Sequence, residues 1–134
     1  MKTSKHFFLV VALLTLSGMA QAEWLEIEKF EDGMRIYVDR TTAQRDGDLA
    51  EVLHLVRWAE AQTGEEHPPY LSTVVRTTYH CVDKLEKYQS SVSYAGAMGN
   101  GAKVTADDNE AEVWYSISEG SMEEKLWKLA CERK

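Results

Sequence analysis

Two thiols and a scatter of histidines, serines and carboxylates hold the reactive chemistry available to this chain, and their spacing speaks against most uses of it. Cys81 and Cys131 stand far apart with no C-x-x-C partner, the arrangement that activates a thiol for redox work. His6, His54, His67 and His80 lack the short spacings, such as i and i+4, that gather zinc ligands. Asp107, Asp108, Asn109, Glu110 and Glu112 offer the hard oxygens calcium prefers, yet the glycine and distal glutamate of an EF-hand loop are missing. Gly96, Gly99 and Gly101 reverse the spacing of the dinucleotide fingerprint and precede a strand pattern where that fingerprint opens a helix. Ser90, Ser91 or Ser93 with His80, or Glu26 with Glu28, would make a hydrolytic pair, but no elbow motif selects any of them. The expectation is no catalytic, cofactor-binding or metal-ligating residue, and one structural disulfide between Cys81 and Cys131.

Compartment makes the disulfide the natural fate of the two thiols. Met1-Lys2-Thr3-Ser4-Lys5, the apolar run Phe7 to Leu16 and the small residues of Ala20-Gln21-Ala22 describe a secretory signal peptide over residues 1–22. Residues 23–134 then form one domain in an oxidising periplasmic or extracellular space. A lipid anchor needs a cysteine at the cleavage site, where this chain has Ala22-Glu23, so none is expected. No later stretch approaches the ~20 apolar residues that span a bilayer as a helix.

Net charge narrows the partners. The leader carries two of the 15 lysines and arginines and none of the 22 acidic residues, so the mature chain is strongly acidic. That balance opposes general binding to nucleic acid or anionic membranes and favours a cationic partner.

The elements that must position these residues are mostly strands. Two extended segments from Trp24 to Asp39 flank Glu31-Asp32-Gly33, a hairpin signal, with Met34, Ile36 and Val38 alternating toward one buried face. A second turn is expected at Arg45 to Asp48. Residues 51–60 carry apolar side chains at both the helical and the strand period and read as a strand because of their Val and Trp content. Thr63 to Pro69 reads as the longest exposed loop. Strands are expected over Tyr70 to Val82 and Lys84 to Ala95, the second with Tyr88, Val92 and Tyr94 on one face, then around Lys103 to Thr105. The glycines between 96 and 101 suit a tight connection or a closely approached backbone. After a turn at Asp107 to Glu110, Val113, Tyr115 and Ile117 alternate as a last strand. Ser121-Met122-Glu123-Glu124 is a capping box opening a helix. Met122, Leu126, Leu129 and Ala130 share one face of that helix, Trp127 and Cys131 edge it, and Lys128, Arg133 and Lys134 complement its dipole.

Taken together, Trp24, Tyr37-Val38-Asp39, Arg45-Asp46-Gly47, Ser72, Cys81, Tyr94, Met98-Gly99-Asn100-Gly101, Val104, Trp114, Gly120-Ser121, Leu126 and Cys131 resemble the surface-adhesin protein E-like family of small exported bacterial proteins. The resemblance implies an α+β fold, a mostly antiparallel sheet of about six strands carrying a C-terminal helix tethered by one disulfide. It also implies adhesion to host or envelope proteins and supplies no catalytic residues. The leading expectation is thus an exported, non-enzymatic protein-binding domain with an unassigned protein partner, no cofactor and no membrane anchor, a homodimer remaining open. A periplasmic inhibitor of a basic enzyme such as lysozyme is the alternative, and a small envelope hydrolase a weaker one.

Overall fold

The computed structural model describes residues 22–132; Arg133, Lys134 and all of the expected leader except Ala22 lie outside the described residues. Six strands run antiparallel in chain order: β1 Trp24–Lys29, β2 Arg35–Asp46, β3 Leu49–Gln62, β4 Tyr70–His80, β5 Leu85–Tyr94 and β6 Lys103–Asp107. A two-residue strand, β7 Tyr115–Ser116, shares an edge of β5 with β6, and the helix α1 Met122–Cys131 closes the chain. Short turns dictate this order, because a tight connection can pair a strand only with its immediate predecessor. At the first of them Gly33 has φ 94° and the Asp32 carboxylate accepts from the Met34 amide at 2.9 Å.

Residues 51–60 lie within β3, and the cause of their mixed periodicity is visible. Val52 points to the side covered by α1, whereas Leu55 lies on the opposite face beneath the loop of residues 95–102; both are fully buried. A strand covered on both sides carries apolar residues at odd and even positions alike. On the helix side Val38, Ala43, Ala50, Val52 and Tyr79 pack with Leu126 and Ala130. On the other, a Cβ on Gly99 would meet Leu55 Cδ1 and Val74 Cγ2, each at 3.2 Å, and Gly99 has φ 67°. Buried Ser72 holds this loop down, its Oγ donating to the Gly96 carbonyl at 2.5 Å and accepting from the Gly99 amide at 2.8 Å. Of the glycine cluster, Gly99 is therefore the backbone position that the sheet approaches closely, while Gly96 and Gly101 are crowded by the loop itself.

Three expectations need correction. Tyr88 does not share a face with Val92 and Tyr94: the register against β4 slips from Arg76↔Ser90 to Thr77↔Tyr88, leaving Gln89 as a bulge. One inserted residue turns every side chain beyond it over. Tyr88 thus joins the helix side, where its hydroxyl lies 2.8 Å from Ser91 Oγ. The last strand is also shorter than its pattern; Ile117 alone reaches the core, while Val113 and Tyr115 are exposed. Finally, residues 63–69 are exposed apart from half-buried His67, but the connection over 95–102 is longer.

The helix begins as its cap requires. The Ser121 hydroxyl accepts from the Glu124 amide at 3.1 Å, and the Glu124 carboxylate reaches back to the Gly120 amide at 3.3 Å, one residue before the usual partner. Lys84, which sits at φ 53° in the β4–β5 turn, pairs with the same carboxylate. That ion pair, the Gly120 amide and Lys128 hold the Glu124 carboxyl down to about 2. At the other end, Arg45 Nη1 donates to the Cys131 carbonyl at 2.6 Å, satisfying a terminal acceptor of the helix.

Candidate functional site

The sequence-flagged residues come together in one case. Cys81 and Cys131 form a disulfide with their Cα atoms 5.6 Å apart, joining the β4–β5 turn to the end of α1. The hydrolytic pairs are not assembled: Glu26 faces Arg35 and Glu28 pairs with Lys125. Ser93 Oγ hydrogen-bonds Thr73 Oγ1 at 2.9 Å, while His80, at the opposite end of β4, receives the Asp83 amide on Nδ1 at 3.1 Å. Asp107 caps its own turn through the Asn109 amide at 2.9 Å. Among the described residues no cluster of three metal-ligating side chains forms.

Sequence reasoning missed a cavity of about 220 Å³ between the N-terminal half of α1 and strands β3 to β5. His54, Val75, Thr77 and Tyr79 form its floor, Met122, Glu123 and Leu126 one wall, and Glu86, Tyr88 and Tyr115 the other. Strand pairing explains the grouping, since His54↔Val75, Thr77↔Tyr88 and Tyr79↔Glu86 are direct cross-strand partners. The signal lay in polar or titratable residues on the apolar period of a strand, such as His54 between Leu53 and Leu55. The Tyr88 side chain reaches the cavity only because of the Gln89 bulge, which no local pattern announces.

Two polar atoms of the floor lack hydrogen-bond partners, His54 Nδ1 and Tyr79 Oη. Burial dominates their chemistry. It lowers the His54 imidazole to about 4, so the ring is neutral at pH 7. It raises the Tyr79 phenol, helped by the charges of Glu86 and Glu123 and opposed, by a smaller effect than burial, by nearby Thr77. The Glu86 carboxyl is raised first by burial and then by the like charge of Glu123.

The buried imidazole makes a prediction about pH. Its affinity for a proton is lower folded than unfolded, so the unfolded chain binds more protons between about pH 6.5 and pH 4. The contribution of neutral His54 to stability is complete above that window and is lost as pH falls through it, with a limiting slope of about 1.4 kcal/mol per pH unit. Unfolding free energies of wild type and His54→Leu, taken from urea titrations between pH 7 and pH 4, should diverge with this limiting slope. Parallel curves would show that His54 is not the group responsible.

Next to the cavity lies an exposed apolar surface. Val82, Val113 and Tyr115 are 67%, 54% and 58% accessible, and Trp114 is 36% accessible. Trp114 stands edge-on to His80 with centroids 6.2 Å apart, and Lys87 Nζ lies 5.7 Å from its ring. Trp127, by contrast, is fixed inward by donating to the His80 carbonyl at 3.1 Å. Tyr115 belongs to both features, exposed at the end of the molecule and lining the cavity.

The sequence profile of the family described as surface-adhesin protein E matches residues 24–132. No curated protein matches the sequence. In shape the chain is similar to Haemophilus influenzae protein E, with a TM-score of 0.66 at 12% identity over 84% of this chain and 86% of that one. A second crystal form of protein E gives 0.65 at 11% identity over 84% and 89%. Protein E from non-typeable Haemophilus influenzae gives 0.58 at 10% over 81% and 83%. At such identities the likeness speaks for the fold, while the profile covers nearly all described residues: the chain belongs to the surface-adhesin protein E family.

Proposed function

We propose that this protein is an exported, non-enzymatic, adhesin-like domain that binds another protein, freed of a leader over residues 1–22 into the periplasm or beyond. One observation carries the reading: Val82, next to the Cys81–Cys131 bridge, and Val113, Trp114 and Tyr115, on a segment tied by backbone hydrogen bonds at Ala111 and Ile117 to β5 and the turn before it, expose apolar and aromatic surface. Exposed aromatic groups on a rigid support are the usual anchors of protein interfaces. Membership of an adhesin family supports the same reading.

Immobilised envelope and extracellular-matrix proteins, probed with residues 23–134, are expected to show saturable binding. Trp114→Ala with Tyr115→Ser should weaken it at least about thirtyfold, the effect of losing an anchor worth about 2 kcal/mol, while the melting temperature stays unchanged. Absence of saturable binding, or indifference to both substitutions, would overturn the proposal. The carboxylates Glu86 and Glu123 favour as second reading an inhibitor of a basic enzyme. Unchanged lysozyme activity under excess protein at low salt removes lysozyme as its target.

A further inference from the structure

We infer that the cavity between α1 and the sheet receives a lysine or arginine side chain of the docked partner, its cationic head set between Glu86 and Glu123. The partner's identity as a protein rests on the binding reading above; the chemistry of the cavity does not.

Charge is the first argument. The lining holds two carboxylates and no lysine or arginine. The neighbouring lysines are already engaged: Lys84 with Glu124, Lys87 with Glu110 at 2.9 Å and Lys125 with Glu28. Glu86 and Glu123 take part in no ion pair among the described residues. Two like charges facing one half-enclosed space without a counterion are the arrangement a cation relieves. Burial, and then the like charge of Glu123, raise the Glu86 carboxyl, and a cation placed beside the two would oppose both effects.

The second argument is independent of charge. Tyr79 Oη and His54 Nδ1 are buried in the floor with no partner, although buried polar atoms normally have one. An ammonium offers three donors and a guanidinium five, more than two carboxylates at a rim use up. The hydroxyl and a neutral imidazole nitrogen can accept the remainder. Val75, Met122 and Leu126 supply apolar surface for an aliphatic stem. A volume of about 220 Å³ suits one side chain, being well above the ~30 Å³ share of a water and below the ~300 Å³ of the smallest drug-sized pockets. Tyr115 joins this opening to the exposed apolar surface, so a protein resting on Trp114 and Tyr115 passes over the mouth.

The probes are Nα-acetyl-lysine methylamide, Nα-acetyl-arginine methylamide and, as neutral control, Nα-acetyl-norleucine methylamide, titrated into residues 23–134 with the His54 and Tyr79 side-chain resonances followed by NMR. Both cations should shift these resonances saturably and norleucine should not. Glu86→Gln and Glu123→Gln should each weaken the cations roughly tenfold, about 1.4 kcal/mol, with exposed Glu65→Gln as unaffected control and melting curves confirming the fold. No shift, an equal response to norleucine, or affinity unchanged in both glutamine variants would overturn the inference. Cation binding without capture of any protein would overturn the protein partner and leave the cation site standing. Capture that depends on Trp114 and Tyr115 but ignores both glutamates would do the reverse.

Discussion

Replacing Cys81 and Cys131 together by serine is expected to lower the stability of residues 23–134 by about 4 kcal/mol. The bridge closes a separation of 50 residues, for which loss of chain entropy in the unfolded state predicts about 4 kcal/mol at 25 °C. The native state gives the bridge a task that amplifies this. With ten residues, α1 is too short to persist alone in water and needs its docked face. Its hold on the sheet is concentrated in Leu126 and Ala130, with Trp127 and the Arg45 contact near the tethered end. Urea unfolding of the double serine variant should show the loss, and its melting temperature should fall by about 15 °C. A loss below about 1 kcal/mol would mean that packing alone seats the helix.

Much of this architecture was legible because local chemistry and tertiary context agreed. Asp32-Gly33, Gly47 and the Ser121 cap each specify a conformation through their own side chain or its absence, and the hairpin order follows once the turns are placed. The disulfide followed from the expected leader and from there being two cysteines. What escaped was decided by partners distant in sequence. The Gln89 bulge exists because β5 must satisfy β4 on both sides of it, and it reassigns Tyr88 to the cavity. The alternation of Val113, Tyr115 and Ile117 promised a buried face, yet β6 already occupies residues 91–94 of β5 and only Tyr115 and Ser116 pair with its start, so Ile117 reaches the core while the side chains of Val113 and Tyr115 stay exposed. The cavity was invisible for the same reason, being assembled from four strands and a helix whose one motif, the Ser121 capping box, specifies where the helix starts and not what it covers.

Leu126→Ala should be the costliest single truncation of the helix face, about 3 to 4 kcal/mol. Leu126 is fully buried, meets the core formed by Val38, Val52 and Tyr79, and also walls the existing cavity. Loss of transfer free energy and of contacts across the enlarged void add together in such a change. Relaxation ordinarily recovers part of the cost by letting an element slide inward, and here the bridge resists that movement by fixing the far end of α1 at Cys131. The two perturbations should therefore couple. In the double serine background the helix is free to shift or fray, so Leu126→Ala should cost about 1 kcal/mol less than in the bridged protein. A double-mutant cycle on urea midpoints measures this difference directly. Strict additivity would show that α1 keeps the same seat without the bridge, and that the stability lost with the cysteines comes from the unfolded chain alone.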